Sequence, residues 1–256
     1  MRICLWRLRD GFCYWPPVPE GKVGGRGGCT ATDAAGRVDP VAFPEKSQRS
    51  MSVAVRCDAA DRAKLPLLLK EVRACTICAV HLQKGPRPIL QVHEGARILI
   101  ASQAPGSKAH SSGVPFDEAS GKRLRQWMGI SREHFFDPHL VAILPMGFCY
   151  PGTGSSGDLP PRRECASQWR ASLLQAMPHI ALTLVIGRYA MAWHMPSAAT
   201  PNLTETVRAW REHGPNVMPL PHPSPRNNMW LKANPWFEAE VVPAVQAKVQ
   251  SLVLLA

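Results

Sequence analysis

The sequence predicts an α/β protein, a three-layer α/β/α sandwich around a short, mainly parallel four-stranded sheet. Two observations carry this prediction. Four short apolar runs, Ala96–Ser102, Leu140–Leu144, Ala181–Ile186 and Val217–Leu220, have the length and composition of buried strands. Helical patterns separate them, and strands that alternate with helices build a parallel sheet covered on both faces. A consequence for function follows from the architecture alone: ligands of such sheets bind beyond the carboxyl ends of the strands.

The elements follow in order. Leu65, Leu68, Leu69 and Val72 recur at helical spacing, so a first helix delivers Cys75 and Cys78 at its C-terminal end. After the first strand, Ser120 is the expected cap of a helix with Leu124, Trp127 and Met128 on one face, stopped by Gly129. A third helix carries Cys165, Trp169 and Leu173. Asn202 and Glu205 form a capping-box-like pair opening a fourth, with Leu203, Val207 and Trp210 inward. Trp169, Trp193 and Trp210 read as packing residues.

Composition sets the outer bounds. The chain has 256 residues and a net charge of +11, with a pI near 9.6. That balance points to a polyanionic partner, of which nucleic acid is the commonest. No apolar run approaches a membrane span. Residues 1–50 differ from the rest: they are rich in Gly and Pro, lack periodicity and carry three scattered cysteines. This composition reads as a disordered or mis-assigned extension, with Met51 as the natural start and one domain over 51–256.

Four of the eight cysteines stand in a spacing that favours metal: Cys75-Thr-Ile-Cys78, then Cys149, then Cys165. A cytoplasmic protein keeps such thiols reduced and available as ligands. Structural zinc favours two short knuckles, whereas one short pair plus one long-looped pair suits an iron–sulfur cluster. Zinc is the alternative, and two packed core cysteines beside two incidental ones the third possibility.

Two loops occupy the strand ends. Ser102-Gln-Ala-Pro-Gly106 follows the first strand and leads to Gly113-Val-Pro-Phe116-Asp117. After the last strand comes Pro221-His-Pro-Ser-Pro-Arg-Asn-Asn228. Its alternating prolines stiffen the backbone around His222 and Ser224, which holds polar side chains in place at small entropic cost.

From about Leu65 onward these motifs resemble the uracil-DNA glycosylase superfamily, specifically its iron–sulfur branches, types 4 and 5. Ser102-Gln-Ala-Pro-Gly106 resembles the type 4 motif G-E-A-P-G, and Gly113-Val-Pro-Phe116 falls where G-R-P-F is found. His222-Pro-Ser-Pro-Arg-Asn227 is closer to the type 5 motif H-P-S-P-x-N, and Ser120-Gly121 after an acidic pair is also similar to type 5. The resemblance implies a monomeric DNA glycosylase holding a 4Fe–4S cluster on Cys75, Cys78, Cys149 and Cys165. It would act on DNA by flipping a deaminated base and hydrolysing its glycosidic bond. Phe116 would lie beneath the base, with His222 donating to the charge developing on it. The backbone of Ala104, Pro105 and Gly106 would hold base or water. Ser224, Arg226 and Asn227 would meet the DNA.

Two departures bear on this. Gln103 replaces the acid of G-E-A-P-G, and an amide is no general base. Pro145 stands where type 4 reads uracil with an asparagine. Asp117 and Glu118, directly after Phe116, are the acids left to serve. Gln103 and Pro145 also favour a second reading, a member that binds damaged or single-stranded DNA without cleaving it. A third is an enzyme of free nucleosides or nucleotides.

Overall fold

The computed structural model describes residues 64–155, 157–196 and 202–254, all within one unit, Val55–Ala256. The expectations for residues 1–50 and for Met51 lie outside the described residues. The chain begins with helix α1 (Lys64–Arg73) and enters the sheet at β1 (Ile98–Ala101). Helices α2 (Ser107–Ser112), α3 (Ala119–Met128) and α4 (Arg132–Phe136) precede β2 (Val141–Ile143). A small antiparallel hairpin, β3 (Thr153–Gly154) and β4 (Gly157–Asp158), comes next. One continuous helical run follows: α5 (Arg163–Cys165), a π-helical turn (Ala166–Arg170) and α6 (Ala171–Gln175). Then come β5 (Leu182–Ile186), α7 (Gly187–His194), α8 (Leu203–Arg208) and β6 (Val217–Leu220). The chain closes with α9 (Asn228–Ala233), a π-helical turn (Phe237–Val241) and α10 (Val242–Val253).

The sheet runs β2-β1-β5-β6 and every pair is parallel. Ile98 stands opposite both Val141 and Leu182, and Leu184 opposite Met218. Alternation along the strands creates two cores. Ile98, Ile100, Val141 and Ile143 join Leu124, Trp127 and Met128 of α3 and Val245 and Val249 of α10. Leu99 and Ala142 point the other way, to Leu65 and Val72 of α1 and Leu173 of α6. These are the three expected layers. Trp127 meets Phe237 edge-on at 4.9 Å between centroids, a pairing worth about 0.5–1.5 kcal/mol beyond its buried area.

The ends of α3 bear on the site. Gly129 caps its C-terminus at φ 65°, a left-handed conformation that glycine adopts without strain. The N-terminal cap differs from expectation. Glu118 occupies that position in extended conformation, and Ser120 is buried inside the first turn, where its hydroxyl donates to Glu118 at 3.0 Å. Gly121 packs directly on the Phe116 carbonyl and leaves no room for a Cβ. Gly121→Ala is therefore expected to cost about 1–3 kcal/mol, as overpacking against backbone does, read as a lower urea midpoint. An unchanged midpoint would remove this contact from the account. Among the described residues no helix is long and apolar enough to cross a membrane.

Candidate functional site

A pocket of about 950 Å³, counted out to its open mouth, lies at the carboxyl ends of β1, β2 and β6. Its enclosed part is about 230 Å³, a little below the roughly 300–1,000 Å³ of drug-sized ligand sites. From the β1 exit come Ser102, Gln103, Ala104, Pro105 and Gly106. From the β2 exit comes Pro145, which is set beside Gln103 because Met146 N–H donates to Ser102 O (2.8 Å) and Gly147 N–H to Gln103 O (3.0 Å). From the β6 exit come His222, Ser224, Arg226 and Asn227. The sequence-predicted loops thus meet at one place.

Phe116 forms part of the wall, buried to 9% exposure and held edge-to-face on Phe135 at 6.2 Å. Its φ of +56° is the one positive value at a non-glycine among the described residues. A bulky residue held there stores strain, and such strain gathers at functional sites. The turn separates the two acids that follow. Glu118 faces the pocket, its carboxylate packed so closely on Gly106 that a Cβ there would lie 3.0 Å from Oε1. Asp117 does not line the pocket. Its carboxylate meets Arg132 at 3.4 Å on the surface.

The loop after β6 is folded by its own side chains. Ser224 N–H donates to His222 Nδ1 (3.2 Å), Ser224 Oγ accepts from Arg226 N–H (3.2 Å), and Asn227 Nδ2 donates to His222 O (2.7 Å). Ser224 and Asn227 therefore shape the loop as well as line the pocket. An Nδ1 that accepts leaves the proton on Nε2. Burial pushes the His222 imidazole down to about 4, with Asp158 opposing the shift and Arg226 adding to it. His222 is thus a neutral Nε2–H donor at neutral pH. Arg226 reaches across to the hairpin and lies against Gly157, which has no space for a Cβ.

Two residues of this region carried no sequence signal of their role. Asp158 of β4 lines the pocket and lies within hydrogen-bonding reach of Tyr150 Oη at 3.4 Å. Arg123 of α3 anchors the loop from behind, donating to Pro223 O (3.4 Å), Ser224 O (3.1 Å) and Asn228 Oδ1 (2.8 Å).

A second, smaller cavity is lined by all four thiols, Cys75, Cys78, Cys149 and Cys165, together with Leu82, Pro86, Pro88, Phe148 and Arg162. All four cysteines are free. Phe148 N–H donates to Cys165 Sγ at 3.5 Å. Burial pushes the Cys78, Cys149 and Cys165 thiols up, Cys165 to about 12. Among the described residues no group of three or more His, Cys, Asp or Glu is gathered as a site for a single ion. An all-sulfur donor set is the kind an iron–sulfur cluster takes, and four thiolates also suit zinc.

Fold and pocket together define an α/β protein with a small-ligand site at the carboxyl ends of a parallel sheet. A family model described as the uracil DNA glycosylase superfamily matches residues 91–246. The chain belongs to that superfamily. The match contains the pocket loops, Cys149 and Cys165, and begins after Cys75 and Cys78.

Proposed function

We propose that this protein is a DNA glycosylase of the iron–sulfur branch, which flips a deaminated base into the pocket and hydrolyses its N-glycosidic bond. One observation carries the proposal: Gln103–Gly106, Phe116, Glu118 and, from the last loop, His222, Ser224, Arg226 and Asn227, far apart in sequence, line a single cavity. The flipped base lies on the Phe116 ring. As the C1′–N bond breaks, its electron pair passes to the base, and His222 Nε2–H donates to the negative charge that develops there. A water held between Glu118 and the Ala104–Gly106 backbone attacks C1′ and gives its proton to the Glu118 carboxylate. Gln103 orients without taking a proton. Arg226, at the mouth, meets a DNA phosphate.

Pro145 offers no side-chain hydrogen bond to a uracil edge, which supports a base range wider than uracil. The same residue, with Gln103, supports the second reading of a damaged-DNA binder without hydrolysis. Single-turnover assays on oligonucleotides carrying uracil, hypoxanthine or xanthine separate the two. Cleavage of at least one base is expected, and tight binding with none cleaved would establish the second reading.

Cys75, Cys78, Cys149 and Cys165 are assigned to a 4Fe–4S cluster, whose contribution is to tie the segment after α1 to the exits of β2 and α5. Protein purified without oxygen should be brown and contain iron and sulfide. Cys165→Ala should lose iron and lower the melting temperature, because metal binding and folding are coupled. Stoichiometric zinc without sulfide would reverse the assignment.

A further inference from the structure

Arg170 ends the π-helical turn after Cys165, and its side chain is entirely buried. A π-turn inside an α-helix is uncommon and often marks a functional position. Nη1 donates to the carbonyls of both Leu144 (3.0 Å) and Pro145 (2.9 Å). Nη2 meets His194 Nε2 at 2.5 Å, and the guanidinium lies over the Trp193 ring at 5.0 Å. Arginine only donates, so His194 accepts through an unprotonated Nε2. Burial pushes Arg170 down to about 9, which leaves it charged at neutral pH. No carboxylate among its hydrogen-bond partners offsets that charge.

Successive carbonyls of a strand point to opposite sides. Here two in a row converge on one nitrogen, so the chain leaves the pleat at Leu144–Pro145. Pro145 has no N–H to donate, and the guanidinium instead holds this bend through its carbonyls. The far end of the same run is held by Cys165, which accepts from Phe148 N–H. One helical run thus grips residues 144–148 at both ends, and Pro145, held at the first of them, lines the pocket.

We propose that Arg170 is a positioning residue that fixes the Leu144–Pro145 bend, and thereby the depth of the base pocket and the choice of base. The proposal rests on the glycosylase reading above. Lys at this position keeps the charge but loses the fork. Arg170→Lys should therefore change the ratio of single-turnover rates between uracil and hypoxanthine by about tenfold or more, the scale of one pocket contact. Binding to undamaged DNA should stay unchanged. If Arg170→Lys fails to fold, His194→Ala loosens the fork from its other side. It should shift the ratio in the same direction, while His194→Gln, which keeps an acceptor, should not. A ratio unchanged in both Arg170→Lys and His194→Ala, or equal loss on both bases, overturns the proposal.

A wild type that cleaves neither base would sink the glycosylase reading, and hydrogen exchange then decides the positioning role. The amides of Met146 and Gly147 should exchange about tenfold faster in the variants, with those of β1 unaffected. Uniform acceleration across the sheet, or none, would leave Arg170 as core packing only.

Discussion

Glu118→Gln is expected to lower the single-turnover rate of base release by about 10²–10⁴-fold, the usual contribution of a general base. The amide keeps the volume packed on Gly106 and can still accept from Ser120, so fold and thiol site should survive. What it loses is the ability to take a proton from water. Asp117→Asn supplies the contrast. Its carboxylate is engaged with Arg132 on the surface, and exposed ion pairs contribute about 0–1 kcal/mol. Near-normal rates are expected for that variant. Equal losses in both, or a loss only in Asp117→Asn, would transfer the base role away from Glu118. Gln103→Glu probes the same chemistry from the opposite wall, and a rise in rate would mean that a second acid can share the water.

The difference between Asp117 and Glu118 was not legible in the sequence, because adjacent acids on a loop look alike until the fold supplies their partners. The chain turns at Phe116 with a positive φ, after which Asp117 meets Arg132 and Glu118 packs on Gly106 and accepts from Ser120. The strands were legible because each is a short run of β-branched and aliphatic residues between breakers, and β6 falls on Val217–Leu220 as the sequence predicts. The convergence of Gln103–Gly106, Phe116 and His222–Asn227 followed from the rule for parallel sheets. Arg123 and Arg170 were invisible for a different reason. An arginine within a helix reads as a solvated face, and only the packed structure reveals that one grips the loop after β6 and the other the pocket wall. The hairpin bearing Asp158 has strands of two residues, too short for any alternation to register. Ser120 was a sound cap by residue type, yet tertiary packing placed Glu118 there instead.

His222→Ala is expected to reduce the rate about 10²–10³-fold, as removal of one donor to a developing anion does. The loop should persist, because Arg123 still holds Pro223 and Ser224 through their carbonyls. Iron content and binding to undamaged DNA should therefore stay near normal. The imidazole also predicts the pH response. Its folded value of about 4 lies below the ordinary 6.5, so the unfolded chain binds more protons between those limits. Stability accordingly rises with pH through that window and is lost as pH falls from about 6.5 toward 4. His194, pushed to about 3 by burial and by Arg170, acts in the same sense, so His222→Ala should lessen this acid sensitivity without abolishing it. For catalysis the sign is equally definite. A neutral donor is already in place at pH 7 and remains so on mild acidification. The wild-type rate should show no histidine limb near 6.5, and any loss of the neutral imidazole should appear close to pH 4. An acidic limb near 6.5 that disappears in His222→Ala would mean that the donor works exposed to water, and the burial of its imidazole would have to be relieved before chemistry.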